Sequence, residues 1–151
     1  MNAFRLFWVL PIGVLAISAS KPITLKGVTF VKAYDGDTVI VNIASLPPVF
    51  GYHLPIRIAH IDAPEVRGDT VCEKQAALSA GLEVATLLSE AKKIELISPK
   101  RDKYFRVVAD VLIDDKILLS EHMLSKKLAY AYEGGTKQVI DWCKFVQPQT
   151  P

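Results

Sequence analysis

Cysteine and histidine are scarce in this chain, and so is any surplus of one charge. His53, His60 and His122 are scattered, with no H-E-x-x-H run and no Cys/His spacing, and two cysteines make no zinc framework. A zinc hydrolase therefore has no visible ligands. Lys and Arg number 18 against 16 Asp and Glu, so bulk charge does not hold the protein on nucleic acid. Any polyanion has to be gripped by a local cluster. Internal repeats are missing, and the one low-complexity stretch is the short polar end at 147–151. What is present, half hydrophobic and 23% charged over 151 residues, is the composition of one globular domain.

The apolar weight is uneven. Residues 1–20 hold one charge, Arg5, and a mostly apolar stretch from Leu6 to Ala19, shorter than the roughly 20 residues of a membrane span. A basic start, an apolar stretch and the small residues Ser18, Ala19 and Ser20 read as a secretory signal peptide cleaved near Ser20. The mature chain then carries 17 basic against 16 acidic residues. It is expected to be an exported monomer, periplasmic or extracellular, with no lasting membrane association, its domain spanning 21–146. Export also changes how Cys72 and Cys143 read, because an oxidising compartment turns a lone thiol pair into a disulfide.

Gly27 to Ile43 alternates apolar and polar positions on either side of Asp35-Gly36, the pattern of two strands, about 26–34 and 38–44, joined by a hairpin turn. Leu46-Pro47-Pro48 breaks it. A third strand is expected at 56–61, stopped by Asp62-Ala63-Pro64. Thr70-x-x-Glu73 fits a capping box, and Leu78, Leu82, Ala85 and Leu88 or Ser89 follow at helical spacing, predicting a helix at about 71–91. Ile94 to Ile97 and Val107 to Ile113 read as strands around a charged loop. Leu118 to Leu128 reads as a short helix and Lys137 to Phe145 as a weaker one. Short turns between neighbouring strands favour a small α+β barrel over a doubly wound sheet.

Four clusters can carry chemistry: Asp35-Gly36-Asp37-Thr38, Arg57, Asp62-Ala63-Pro64-Glu65, and the loop from Lys100 to Arg106. Each alone has a bland explanation: a turn, an arginine on an outer strand face, a proline turn, a soluble loop. Together they offer hard oxygen ligands suited to Ca²⁺ or Mg²⁺ and two arginines able to fork onto phosphate oxygens. A metal, two guanidinium groups and a spare carboxylate are the parts that phosphodiester hydrolysis needs.

The run VKAYDGDTVIV, then IRIAHIDAPE, then DKYFR with a following V-x-A-D-V strand, resembles the staphylococcal nuclease (thermonuclease) family over about residues 27–133. The resemblance implies a five-stranded OB-type barrel with about three helices. It also implies Ca²⁺-dependent endonucleolytic hydrolysis of DNA and RNA that leaves 3′-phosphates. Matched motif to motif, Asp37, Asp62 and the backbone carbonyl of Ala63 would bind Ca²⁺. Glu65 would orient or deprotonate the attacking water, and Arg57 and Arg106 would hold the phosphate. Lys103, Tyr104, Tyr130 and Tyr132 are candidate substrate contacts, the tyrosines as stacking platforms.

Two positions depart from the family's pattern: Ala63 in place of threonine, and Phe105 in place of the glycine usual between Tyr and Arg. A backbone ligand survives the first change; the second bears on where Arg106 points. Period-two alternation sets a further condition, because a regular strand to residue 62 puts Arg57 and Asp62 on opposite faces. The chain must bend before Asp62 if both serve one site. The competing reading is a non-catalytic OB-type module binding nucleic acid or protein, but a degraded copy would lack one of Asp37, Arg57, Asp62, Glu65 or Arg106, and all five are present.

Overall fold

The computed structural model describes residues 22–145; the expected signal peptide and polar tail lie outside the described residues. Its strands are β1 (Thr24–Leu25), β2 (Val28–Ala33), β3 (Thr38–Ile43), β4 (Leu54–Ile58), β5 (Ile61–Asp62), β6 (Ile94–Arg101), β7 (Val107–Ile113), β8 (Ile117–Leu118) and β9 (Tyr130–Ala131). Four helices accompany them: α1 (Pro48–Gly51), α2 (Val71–Glu90), α3 (Leu119–Ser125) and α4 (Trp142–Phe145).

The main sheet runs β1-β6-β7-β4-β3-β2, with β8 on β7. Its pairings are antiparallel except that of β4 with β7. β1 and β2 sit at opposite ends of this path, yet only Lys26 and Gly27 separate them in the chain. Two residues reach at most about 11 Å between flanking positions, so the ends must meet and the sheet curls on itself. Gly27, at φ +69°, makes the kink. Counting β1 and β2 as one kinked strand with β3, β4, β6 and β7 gives the five-stranded, OB-type α+β barrel expected from the motifs. Val39, Val41 and Ile43 alternate inward from β3 and meet Ile56, Ile58, Leu96 and Val111 in the core. Each such burial contributes about 1.5–3 kcal/mol.

Several expectations shift. The strand expected at 56–61 splits into β4 and β5, and the one at 94–97 runs on to Arg101 past a bulge between Ile97 and Lys100. The helix expected from 137 is only α4, a single turn. In α2 the buried face is Ala76, Ala77, Ala80, Val84 and Leu88, whereas Leu78 and Leu82 are exposed. The physical reason is close packing: a Cβ on Gly36 would lie 2.6 Å from that of Ala80, so the helix must present small residues to the 34–37 loop. Gly36 is thus demanded by contact rather than by a tight two-residue turn; the loop closes over four residues, with the Tyr34 amide donating to the Thr38 carbonyl.

Thr70 caps α2 by accepting from the Glu73 amide. One residue into that helix, Cys72 is joined to Cys143 of α4 with Cα atoms 5.1 Å apart, and the neighbouring Trp142 is buried against Ala76 and Tyr130. The cross-link spans 71 residues, which on the chain-entropy account stabilises the fold by about 4 kcal/mol. Replacing both cysteines by alanine should lower the unfolding free energy by that order in urea melts; a loss below about 1 kcal/mol would contradict the account.

Candidate active site

Arg57 holds the site together. On the central strand β4 it is buried, and its two Nη atoms reach different carboxylates: one lies 2.5 Å from Asp37 Oδ2, the other 2.5 Å from Asp62 Oδ1. Each partner comes from a separate segment. Asp37 ends the 34–37 loop, where pairing of β3 with β4 sets Thr38 opposite Arg57, and the Ile58 amide donates to the Asp37 carbonyl at 2.7 Å. The Ala63 amide donates to Asp37 Oδ2 at 2.8 Å, and Asp35 Oδ1 accepts from the Asp37 amide at 3.1 Å.

Asp62 reaches the same guanidinium because the chain does bend. His60 adopts φ +67°, a left-handed conformation that histidine tolerates better than most residues. Beyond it β5 leaves the barrel to pair with β9, with Asp62 opposite Tyr130. The bend is set at His60, ahead of the proline. Tyr130, expected as a stacking platform, is buried; its hydroxyl donates to Asp62 Oδ2 at 2.7 Å. Burial and this bond push its pKa up to about 12, so it stays a neutral donor. A base has no access to its ring.

Glu65 is exposed, yet its backbone is fixed. Its amide donates to Glu73 Oε1 and its carbonyl accepts from the Gly68 amide at 2.9 Å. Its side chain meets Lys137, which the motifs gave no reason to select: Lys137 Nζ lies 2.9 Å from Glu65 Oε1 and 3.1 Å from Asp62 Oδ1. Partial burial alone would lower the lysine pKa, but the bonds to Glu65 and Asp62 outweigh it and raise it.

Arg57 also lines a cleft of about 290 Å³, together with Lys103, Tyr104, Arg106 and Tyr132 among others. Arg106 arrives there because the parallel pairing sets Val108 beside Arg57. Phe105 keeps the backbone shape its family glycine would give, at φ +62°. Asp102 holds that shape by accepting from the Tyr104 and Arg106 amides and from Arg106 Nε at 2.8 Å. Tyr104 is exposed, with the Lys103 and Arg106 cations 5.1 and 5.4 Å from its ring centroid. The Tyr132 hydroxyl is already committed to the Gly135 carbonyl. Asp37 and Asp62 contact Arg57 directly, Ala63 and Glu65 join them through Asp37 and Lys137, and Lys103, Tyr104, Arg106 and Tyr132 line the cleft with it.

The family model described as staphylococcal nuclease homologue matches residues 55–143. The chain belongs to that family. The matched stretch contains Arg57, Asp62, Glu65 and Arg106, and starts after Asp37. Against curated proteins the sequence finds no match. Membership in the family makes this a nuclease-type domain, and its geometry must be judged on its own residues.

Among the described residues no three Asp, Glu, His or Cys side chains form a ready metal cage. The donors that converge are nonetheless those of a hard cation: two carboxylates with a backbone segment between them. Charge points the same way. Burial pushes the Asp37 carboxyl up to about 7 against the pull of Arg57, with Asp35 and Asp62 adding to the rise, and the Lys137 ammonium stands in as a cation on Asp62 and Glu65. The residues fit Ca²⁺ or Mg²⁺.

Because the folded-state pKa of Asp37 lies above its unfolded value, the folded protein keeps a proton that the unfolded chain loses above pH about 4. Stability without metal therefore falls as pH rises from about 4 to about 7. Asp37→Asn should raise the melting temperature in chelator more at pH 7.5 than at pH 4.5; an equal offset at both would exclude the effect. Phe105→Gly should relieve the left-handed strain and stabilise the fold by about 1 kcal/mol in urea unfolding, since Phe105 is exposed and loses little packing. Destabilisation would mean that its ring contributes more than its backbone costs.

Proposed function

We propose that this chain is an exported, Ca²⁺-dependent endonuclease that hydrolyses phosphodiester bonds of DNA and RNA and leaves 3′-phosphates. The observation that carries the reading is the double placement of Arg57, which bridges the Asp37 and Asp62 carboxylates and lines the cleft that also holds Arg106 and Tyr104. The apolar leader at residues 1–20 and the Cys72–Cys143 cross-link support export.

Asp37, Asp62 and the Ala63 carbonyl would hold Ca²⁺, whose remaining oxygen positions fall to water and phosphate. Bound there, the ion would neutralise phosphate charge and polarise the scissile bond. Arg57 engages Asp37 and Asp62 through its two terminal nitrogens, which leaves its Nε–H, without a partner among the described contacts, for a phosphate oxygen in the cleft. Arg106 is engaged through Nε alone among the described contacts, so its two terminal nitrogens are available to fork onto the same phosphate. The pair stabilises the charge that builds up as water attacks. Glu65, exposed at its tip and fixed at its backbone, takes the proton from that water. Tyr104, open to solvent, supplies a face for a base.

Purified protein should cut plasmid DNA with Ca²⁺, stop in chelator, and leave ends that a polymerase extends only after phosphatase treatment. Glu65→Gln should retain substrate binding and lose about 10²- to 10⁴-fold in kcat. Cleavage persisting in chelator, or a variant within about threefold of the parent, would overturn the assignment.

A further inference from the structure

Lys137 lies outside every motif that drew attention to the site, yet its ammonium sits on two of the site's carboxylates. The segment that carries it is unusual. From Tyr132 to Asp141 the chain has no helix or strand, and it is fixed at its ends. At one end the Tyr132 amide donates to the His60 carbonyl at 2.9 Å. At the other stand buried Trp142 and the disulfide at Cys143. Between them, Gly134 and Gly135 adopt φ +96° and +94°, with open space where side chains would stand. Glycine allows such backbone to rotate cheaply. Lys137 follows that pivot by two residues, its side chain half exposed, and Val139 beyond it is fully exposed. The strap thus has firm anchors, a glycine pair steadied by the Tyr132 hydroxyl donating to the Gly135 carbonyl at 2.8 Å, and one side chain gripping the site.

Resting on the metal reading proposed above, we infer that Lys137 is a displaceable internal cation, which fills the gap between Asp62 and Glu65 when Ca²⁺ is absent and leaves when the ion binds. The chemistry is competition for one oxygen. Asp62 Oδ1 already accepts Arg57 and Lys137 together, and a divalent ion on that carboxylate brings two further positive charges beside the ammonium. Repulsion between them in a half-buried pocket is far stronger than in bulk water. The lysine side chain, half exposed and held at its ammonium, can leave by rotating about its own bonds. Its departure also unties Glu65 Oε1, leaving that carboxylate free to accept a proton from water. Metal binding and readiness of Glu65 are thereby one event. In the metal-free protein the same lysine offsets carboxylate charge that would otherwise repel across the site.

The test uses the full disulfide-bonded chain, stripped of metal and titrated calorimetrically with CaCl₂. Lys137→Met should bind Ca²⁺ at least about fivefold more tightly than the parent, the low end of usual coupling factors. Lys137→Arg, which keeps the charge, should stay within about twofold of the parent. A second readout needs no variant: acetylation of Lys137 by acetic anhydride, followed by peptide mass spectrometry, should speed up several-fold when Ca²⁺ is added. Lys93, paired with Glu95 and Asp115 far along the chain, should not change. The inference is overturned if the parent binds Ca²⁺ but Lys137→Met binds no more tightly, or if Lys137 reactivity ignores the ion. A raised KM for DNA with unchanged Ca²⁺ affinity would assign Lys137 to the substrate phosphate and would also overturn it. If neither parent nor Lys137→Met binds Ca²⁺, with Asp62→Asn equally silent, the metal reading itself fails and the inference falls with it.

Discussion

A buried guanidinium clamped between two carboxylates is the constraint that the rest of this molecule serves. Arg57 in isolation would be a costly charge to bury, and Asp37 and Asp62 would be worse without it. The three are affordable only together, with each lone pair answered. That condition reaches far into the fold. It requires β3 to pair with β4 in the register that sets Thr38 opposite Arg57, and a left-handed His60 to turn Asp62 toward the arginine. It requires Tyr130 to complete Asp62 from a strand 68 residues away. Removing the guanidinium would leave, among the described residues, Lys137 as the cation paired with Asp62 and Glu65.

One helix supplies the second layer of support. The first turn and middle of α2 meet three separate parts of the site: Ala80 against Gly36 of the Asp37 loop, Glu73 against the Glu65 amide, and Cys72 against the C-terminal strap. Small residues at its buried face let the loop come close, the cap residue's partner fixes the backbone of the candidate base, and the disulfide ties down the segment that carries Lys137. A rigid 20-residue helix can coordinate these three because its surface positions are fixed relative to each other. Loops joined only to one another could not hold such distances.

Much of this was legible in the sequence because it is written locally. Alternation marked β2 and β3, β-branched residues marked β7, the Thr70-x-x-Glu73 pair marked the start of α2, and the co-linear runs around Asp37, Arg57, Asp62 and Arg106 marked the barrel family. The need for a bend between Arg57 and Asp62 followed from period-two geometry alone. What escaped was non-local. Leu78 and Leu82 look like a core face until Gly36 is known to press against Ala80, which depends on a loop some 40 positions earlier. Tyr130 reads as an available aromatic until β9 turns it inward onto Asp62. Lys137 stands in a polar stretch with no periodicity, and only the strap, closed by a bond at Cys143, brings it to the acids. Phe105 departs from the family pattern and sits at φ +62°, a conformation glycine adopts freely: the loop keeps its shape because Asp102 accepts from the backbone on both sides of Phe105.

The arrangement of charge also explains how a nearly neutral protein handles a polyanion. Lys100, Lys103 and Arg106 line a cleft, Asp37 and Asp62 hold Arg57, and Arg57 belongs to both groups. A phosphodiester entering the cleft brings negative charge toward Asp35, Asp37, Asp62 and Glu65, so its binding is opposed until a cation offsets them. On the proposed reading, metal and substrate therefore favour one another, and by linkage each must strengthen the other by the same factor. On that reading affinity would depend strongly on the cation at Asp37 and Asp62, and occupancy of that small site, rather than general attraction to the duplex, would be the step that commits the protein to its substrate.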